Sequence, residues 1–409
     1  MKIALVVPHI FMHQQILPDV IFSPGQLALS LASGLSKLGH QVTLFSPGPV
    51  DDLLKGAEVK NMTADLTLFE EELAARGDNY LDLLKKHPLT YITLARQVQS
   101  ELIAQAYELA NQGEFDLVHI WCNEEEQALV NAKFCQKPVL FNHHEPFNFL
   151  TRYRAIFPKY PYLNWISFSM AQRQTFGLPP SQVNWVGNVY HGLDPDLYQP
   201  NYHPQDYLLY AGRIIQPKGV HYAIAAAKKL GMKLKIAGKH YAGHSKDRYW
   251  QEMIEPEIDG DQIEYVGFVK DVKAKQKLFG KAKALLMPST WQEPFGLVMI
   301  EAMACGTPVV GFDRGAIPEV IEDGKSGWVV KYQPEKSEEK DSSKVSRKDW
   351  QQVQQDKLFQ KTVSSLETSI KKVDQIKRIE CRQRFEQLFT TSKMATGYDQ
   401  LYRDMSSLA

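Results

Sequence analysis

The chain has 409 residues, 44% of them hydrophobic, and its 47 basic and 47 acidic side chains cancel to zero net charge. That length suits two cores rather than one, and the even charge gives no reason to expect a nucleic-acid partner. Its four cysteines (Cys122, Cys135, Cys305, Cys381) lack metal-ligand spacing and read as reduced thiols of a cytoplasmic protein.

No apolar run reaches membrane-spanning length, which leaves room only for peripheral membrane contact. Pro8 and His9 interrupt the apolar opening, and no small-residue cleavage site follows, so no signal peptide is expected. Lys2 to Pro8 reads as a buried strand and His9 to Gly25 as a loop. A helix with Leu27, Leu31, Leu35 and Leu38 on one face then stops at Gly39, before a strand over Gln41 to Ser46. No G-x-G-x-x-G follows the first strand, which argues against a nicotinamide-binding domain. Residues from about 65 to 111 read as amphipathic helix. Short buried strands are expected over Asp116–Ile120, Pro138–Asn142, Asn164–Ser169 and Val183–Val186. Gly187 to Pro200 is punctuated by His191-Gly-Leu-Asp194, Pro195 and Pro200 and reads as a hinge.

The second half restarts with a strand over Tyr207–Gly212, a helix over Val220–Leu230 and strands over Lys233–Ala237 and Glu264–Val269. Strands over Ala284–Pro288, Thr307–Phe312 and Gly327–Val330 follow, and the chain is helical from about Trp350. Strand and helix alternate twice over, so the fold class is α/β, with two doubly wound parallel-sheet Rossmann-like domains facing a cleft. The expected domains are 1–194, 195–380 and a helical tail 381–409 that crosses back to the first. Pro334 to Lys348 is rich in Lys, Glu, Asp and Ser and is expected to be a mobile insertion.

Most chemistry sits in Glu293-Pro-Phe-Gly-Leu-Val-Met-Ile-Glu301. Pro294 stands where a helix begins and Gly306 where it ends. Gly296, Leu297 and Val298 then offer N–H groups at a helix N-terminus, an anion site, with Phe295 in the turn before them. Glu293 precedes the helix and Glu301 lies on its body. Carboxylates flanking an anion site suit a ligand that is part diphosphate and part polyhydroxyl. Ala211-Gly-Arg213 and Pro217-Lys218-Gly219 present two cations after a strand. Arg213 can fork onto phosphate oxygens and Lys218 acts as a point charge; two solvated surface cations is the plainer alternative. Asp194-Pro-Asp196 matches D-x-D, but it lies at the hinge and reads as linker geometry. No metal site is expected.

Together these motifs resemble the E-x7-E and G-R-x-x-x-x-K-G elements of family 4 retaining glycosyltransferases, which have the GT-B fold. The resemblance extends along most of the chain, the insertion and acceptor region excepted. It implies that Gly25, in Pro24-Gly25, makes a backbone contact to phosphate. It also implies that His144, chosen by register over His143 in Pro138-Val-Leu-Phe-Asn-His-His-Glu145, approaches the donor sugar. Ile236-Ala-Gly238 and Glu264-Tyr-Val-Gly-Phe268 match elements around the nucleotide base and ribose, and Tyr398 to Tyr402 resembles the terminal helix that crosses back. Glu301 is implied to bind the ribose hydroxyls and Glu293 the sugar hydroxyls, with Arg213 and Lys218 stabilising the diphosphate.

The implied activity is retaining, metal-independent transfer of a hexose to an acceptor hydroxyl. UDP-glucose is the first donor expectation and GDP-mannose the second, with no cofactor besides this co-substrate. Trp291 ahead of the motif resembles a branch of glucosyltransferases acting on small molecules. A two-carboxylate glycosidase leaves Arg213, Lys218 and the anion site unexplained. A GT-B epimerase or phosphorylase, or an inactive nucleotide-sugar-binding protein, is the remaining alternative. Nothing in the sequence names the acceptor.

Overall fold

Short runs of branched and aromatic residues become parallel strands covered on both faces, which is why they read as continuous apolar stretches. The structure, a computed structural model, describes residues 1–54, 56–121, 126–144, 155–175, 178–179, 182–240, 247–333 and 346–407. Most of the expected insertion, residues 334–345, lies outside the described residues. The chain divides into two units, one of Met1–Gly192 with Thr391–Ala409 and the other of Leu193–Thr390.

In the first unit the elements are β1 (Lys2–Val6), α1 (Ser23–Lys37), β2 (Gln41–Ser46), β3 (Val59–Thr63), α2 (Thr67–Arg76), α3 (Tyr80–Lys86), α4 (Pro88–Asn111) and β4 (Leu117–Trp121). They continue with α5 (Glu126–Asn131), β5 (Val139–Asn142), β6 (Asn164–Ser167), α6 (Met170–Thr175) and β7 (Asn184–Asn188). The sheet order is β3-β2-β1-β4-β5-β6-β7. Ile3 registers with Val42 on one side and Leu117 on the other. Strand order reverses direction between β1 and β4, the kind of place where ligands bind beyond the strands' carboxyl ends. The edge strand β3, Val-Lys-Asn-Met-Thr, was not expected from sequence. It is partly exposed, so its polar residues hide the strand pattern. Gly25 also differs from expectation. It lies in the first turn of α1, which begins at Ser23, and not in the preceding loop. Leu38, counted on the apolar face of α1, caps the helix and is exposed.

The second unit comprises β8 (Tyr207–Ala211), α7 (Val220–Leu230), β9 (Lys233–Ala237), β10 (Ile263–Gly267), α8 (Val272–Lys281), β11 (Ala284–Met287), α9 (Leu297–Ala304) and β12 (Val309–Phe312). After these come α10 (Ile317–Val320), β13 (Gly327–Val330), α11 (Arg347–Gln355), α12 (Lys357–Lys371) and α13 (Arg378–Leu388). Its sheet order is β10-β9-β8-β11-β12-β13, with the reversal between β8 and β11. Leu208, Tyr210, Ile236, Leu286, Val310 and Phe312 form the core with Tyr222 of α7 and Phe359, Val363 and Leu366 of α12.

The last helix, α14 (Thr391–Ser407), belongs to the first unit. It lies close to α1 at Gly34, where an added Cβ would come within 2.8 Å of the Ala395 Cβ. Tyr398 Oη donates to Asn142 Oδ1 at 3.0 Å, and Asn142 Oδ1 also lies 2.7 Å from His119 Nε2. A carbonyl oxygen only accepts, so His119 carries its proton on Nε2, and its Nδ1 accepts from Tyr402 Oη at 2.7 Å. Burial pushes His119 down to about 4, keeping this network neutral. The unit boundaries fall at 192/193 and 390/391 rather than at the expected 194/195 and 380/381. Residues 381–390 stay with the second unit because Cys381, Arg382 and Phe385 of α13 are buried there.

Candidate functional site

The second unit's reversal point carries most of the chemistry. Beyond β8 the backbone turns at Gly212, whose N–H donates to Ala237 O at 2.9 Å, and Arg213 follows, exposed. Gly238, just past β9, packs on the Gly212 carbonyl, and any Cβ there would run into that oxygen. A single 3-10 turn over Gln216–Lys218 leads to Gly219, in the left-handed region at φ 71°, which starts α7. The carbonyl of Pro217 accepts from Thr290 N at 2.9 Å and Trp291 N at 3.3 Å, so the β8 loop is stapled to the β11 loop.

That staple brings Lys218 onto Glu293 in an ion pair, with both side chains largely buried. The Trp291 ring lies 5.1 Å from Lys218 Nζ and 5.8 Å from the Arg213 guanidinium carbon, a shared cation–π platform. From the other side Ala316 N donates to Glu293 O at 2.7 Å, and Gly315 N donates to Gln292 Oε1 at 2.7 Å. The Glu293 loop is therefore fixed by backbone bonds from two directions. Phe295 is buried and meets Phe389 edge-on at 5.9 Å. Gly296, at φ 87°, caps α9 and opens the first turn of Leu297 and Val298, whose N–H groups have no intrahelical acceptor.

Glu301, on the body of α9, is 6% exposed. Its Oε1 accepts from Tyr198 Oη at 2.9 Å and from Lys275 Nζ. Its Oε2 is shut from solvent and has no partner among the described residues. Phe268 follows β10, half-buried, with Lys239 Nζ 4.5 Å from its ring centre. Nearby, Tyr265 Oη donates to Gly238 O at 3.0 Å, and His240 stacks on Trp250 at 4.2 Å while its Nδ1 meets Asp247 at 2.9 Å.

Sequence reading did not single out Tyr198, Lys275, His240 or Asp247. Tyr198 and Lys275 are far from Glu301 in sequence and belong to no motif, so only folding pairs them with it. Asp194 Oδ1 accepts from Asp196 N at 3.0 Å, capping the 3-10 turn over Pro195–Leu197, which fits its reading as linker geometry.

The two remaining candidates lie in the first unit. His144 follows β5 and stacks on His191 at 5.3 Å and on Phe168 at 5.3 Å, with the Trp121 ring at 4.9 Å. Burial, then the neighbouring histidines, hold His144 well below the ordinary histidine range, so it acts as a neutral imidazole. His143 instead meets the core residue Phe157 at 5.6 Å. Gly25 N donates to Phe22 O at 3.2 Å, and an added Cβ would come within 2.7 Å of the Phe22 ring. Packing thus accounts for this glycine, and its N–H is already engaged within the chain.

Comparison with known proteins places a family domain in the second unit. Residues 199–346 match the family described as glycosyl transferases group 1. An uncharacterized glycosyltransferase of Methanocaldococcus jannaschii is 35% identical over 133 residues, 31% of this chain and 33% of that protein. The chain spans less than half the length of the curated relatives it matches first. Sucrose-phosphate synthase from Thermosynechococcus elongatus superposes over all of both chains with a TM-score of 0.65 at 18% identity. Anabaena Alr3699/HepE, solved in complex with UDP-glucose, does so over all of both chains with a TM-score of 0.62 at 16% identity. Among the described residues no helix is long and apolar enough to cross a membrane. Residues 199–346 thus carry a domain of the glycosyl transferases group 1 kind, and the chain has the GT-B fold of two Rossmann-like units.

Proposed function

We propose that this protein transfers a hexose from a nucleoside diphosphate sugar to an acceptor hydroxyl with retention of anomeric configuration. One observation carries the reading. Beyond β8 and β11, Arg213, Lys218 and Glu293 gather around Trp291 within the second unit, and the Glu293 loop leads into the first turn of α9, whose body carries Glu301. Two cations and a helix N-terminus suit a diphosphate. Oε2 of Glu301, buried and without a partner among the described residues, suits a ribose hydroxyl that donates to it.

In this reading the bond between the anomeric carbon and the diphosphate oxygen breaks first. Arg213, Lys218 and the α9 N–H groups stabilise the charge that builds on the departing nucleoside diphosphate. The acceptor oxygen attacks from the face the leaving group vacates, and its proton passes to a phosphate oxygen. Glu293 holds the sugar hydroxyls. Lys218 keeps that carboxylate in place, so it serves both ends of the donor's reactive bond. His144, held neutral, is the candidate for a further sugar contact, while Gly238 and Phe268 border the base and ribose. No metal is required, because fixed cations carry the charge that a divalent ion would otherwise balance. UDP-glucose is the first donor to try and GDP-mannose the second.

The test is calorimetry with UDP, UDP-glucose and GDP-mannose, followed by single-turnover release of free nucleotide in the presence and absence of a chelator. Binding with turnover that survives the chelator is expected. Glu301→Gln should weaken UDP and UDP-sugar alike, whereas Glu293→Gln should weaken the sugar-bearing donor more than UDP. Binding without any turnover would mark a protein that only holds nucleotide sugars. Manganese-dependent turnover would defeat the metal-free mechanism.

A further inference from the structure

The carboxylate of Glu301 is asymmetric in a way that the motif around it does not foretell. A carboxylate oxygen has about two lone-pair sites. Oε1 fills both, accepting from Tyr198 Oη at 2.9 Å and from Lys275 Nζ, and Oε2 accepts nothing among the described residues while being closed to water. A buried carboxylate oxygen without a donor costs more than an ordinary hydrogen bond returns, so the arrangement suits a site completed by ligand.

Three separate elements build this asymmetry. Tyr198 lies in the segment entering the second unit, and its carbonyl is held by Arg382 Nη1 of α13. The same Arg382 nitrogen donates to Ala304 O at 2.8 Å, at the end of the helix that carries Glu301. Lys275 stands in the first turn of α8, which Asp271 caps by accepting from Ala274 N at 2.7 Å. Burial, then the charge of Glu301, push the Tyr198 hydroxyl far above its ordinary value, so it remains a donor throughout the working pH range. Lys275 pairs with Glu301 as Lys218 does with Glu293.

We propose that Tyr198 and Lys275 are positioning residues that dedicate Oε1 of Glu301 to the protein and leave Oε2 as the single oxygen that reads the ribose of the donor. The proposal rests on the nucleotide-sugar reading above and adds a specificity device to it. Wild type then distinguishes ribonucleotide from deoxyribonucleotide, and the distinction depends on two side chains that touch no ligand. Without Tyr198 or Lys275 the carboxylate is free to turn and to draw water, and the ribose preference falls while contacts to the diphosphate persist.

The experiment measures the affinity of the whole chain for UDP, 2′-deoxy-UDP and 3′-deoxy-UDP by calorimetry, for wild type and for Tyr198→Phe, Lys275→Met and Lys275→Arg. Wild type should prefer UDP over at least one deoxy form by about ten- to a hundredfold, the range for a hydrogen bond to a charged group. Tyr198→Phe and Lys275→Met should remove most of that ratio by weakening UDP while leaving the deoxy form within about threefold. Lys275→Arg should restore part of it. If either loss variant weakens UDP and both deoxy forms equally, or if the ratio stays at its wild-type value, the positioning role is wrong. Wild type that binds UDP but ignores the ribose hydroxyls overturns this inference alone. Wild type that binds neither UDP nor GDP takes the donor reading down with it.

Discussion

The two Rossmann-like units share a strand pattern yet place opposite chemistry at its equivalent point. β3-β2-β1-β4 in the first unit and β10-β9-β8-β11 in the second both reverse beside their first strand. In the second unit, the loops beyond that reversal carry Arg213, Lys218 and Glu293 and lead into α9, with Glu301 on its body. In the first unit, the neighbouring strand ends carry rings: Trp121, His144 and Phe168, with His191 stacked among them. Burial brings His191 down to about 3 and His144 well below its ordinary range, so this edge is uncharged near neutral pH. Topology sets where a ligand can approach, and side chains decide whether the approach favours an anion or a neutral ring or hydroxyl.

Removing charge from the second unit should cost most. Arg213→Ala and Lys218→Ala are each expected to lower turnover by about two to three orders of magnitude, as for other preorganised charge-stabilising groups. Arg213 is exposed, so its variant should melt within a degree or two of wild type, whereas Lys218→Ala also strands the buried Glu293. Turnover near wild type for both would place the phosphate chemistry elsewhere.

The first unit should instead respond in stability. His119→Ala leaves the Tyr402 hydroxyl and Asn142 Oδ1 each short of one partner and opens space beneath α14. About 2–4 kcal/mol is expected, seen in denaturant unfolding, with UDP affinity unchanged. Unaltered stability would mean that this polar network does not hold the tail helix.

Acid should separate the units next. His13, His40, His119, His144 and His191 in the first unit are all held below the ordinary histidine value, with burial the largest cause in each case. In the second unit burial brings His221 down to about 3. Each is neutral in the fold and takes a proton once unfolded below about pH 6.5. Their contribution is therefore complete above that pH and is lost as the pH falls toward the folded values. The slope is at most about 1.4 kcal/mol per pH unit each for His119, His144 and His191, levelling off for His119 near 4. Hydrogen exchange followed from pH 7 to pH 4.5 should show the first unit opening before the second. The reverse order would count against the neutral-ring description.

The smallest effect tests Gly25. Packing predicts that Gly25→Ala costs about 1 kcal/mol through contact with Phe22 and leaves UDP affinity alone. A phosphate contact from Gly25 N predicts weaker nucleotide binding in addition to that cost.

Several features were legible because local chemistry and spacing coincide. The helix Val220–Leu230 and the strands Lys233–Ala237 and Gly327–Val330 match expectation to the residue, since apolar periodicity and glycine stops agree there. The edge strand β3 was not legible, because an edge needs few apolar residues and its Lys60 and Asn61 look like loop. Gly25 reads as loop beside Pro24, yet proline in the first turn is a normal helix start.

The sequence by itself determined that the chain forms two parallel α/β units, that a helix begins after Pro294, and that two cations and two carboxylates lie near the ends of neighbouring strands. These follow from residue type and from separations short enough for local rules to act. Tertiary structure decided which charge meets which: Lys218 with Glu293, and Tyr198 and Lys275 with one oxygen of Glu301 while the other is buried without a partner among the described residues. It also decided that α14 closes on His119 and Asn142. Those partners stand 26 to 283 residues apart. Only the folded core fixes distances across such separations, and no local pattern in the chain encodes them.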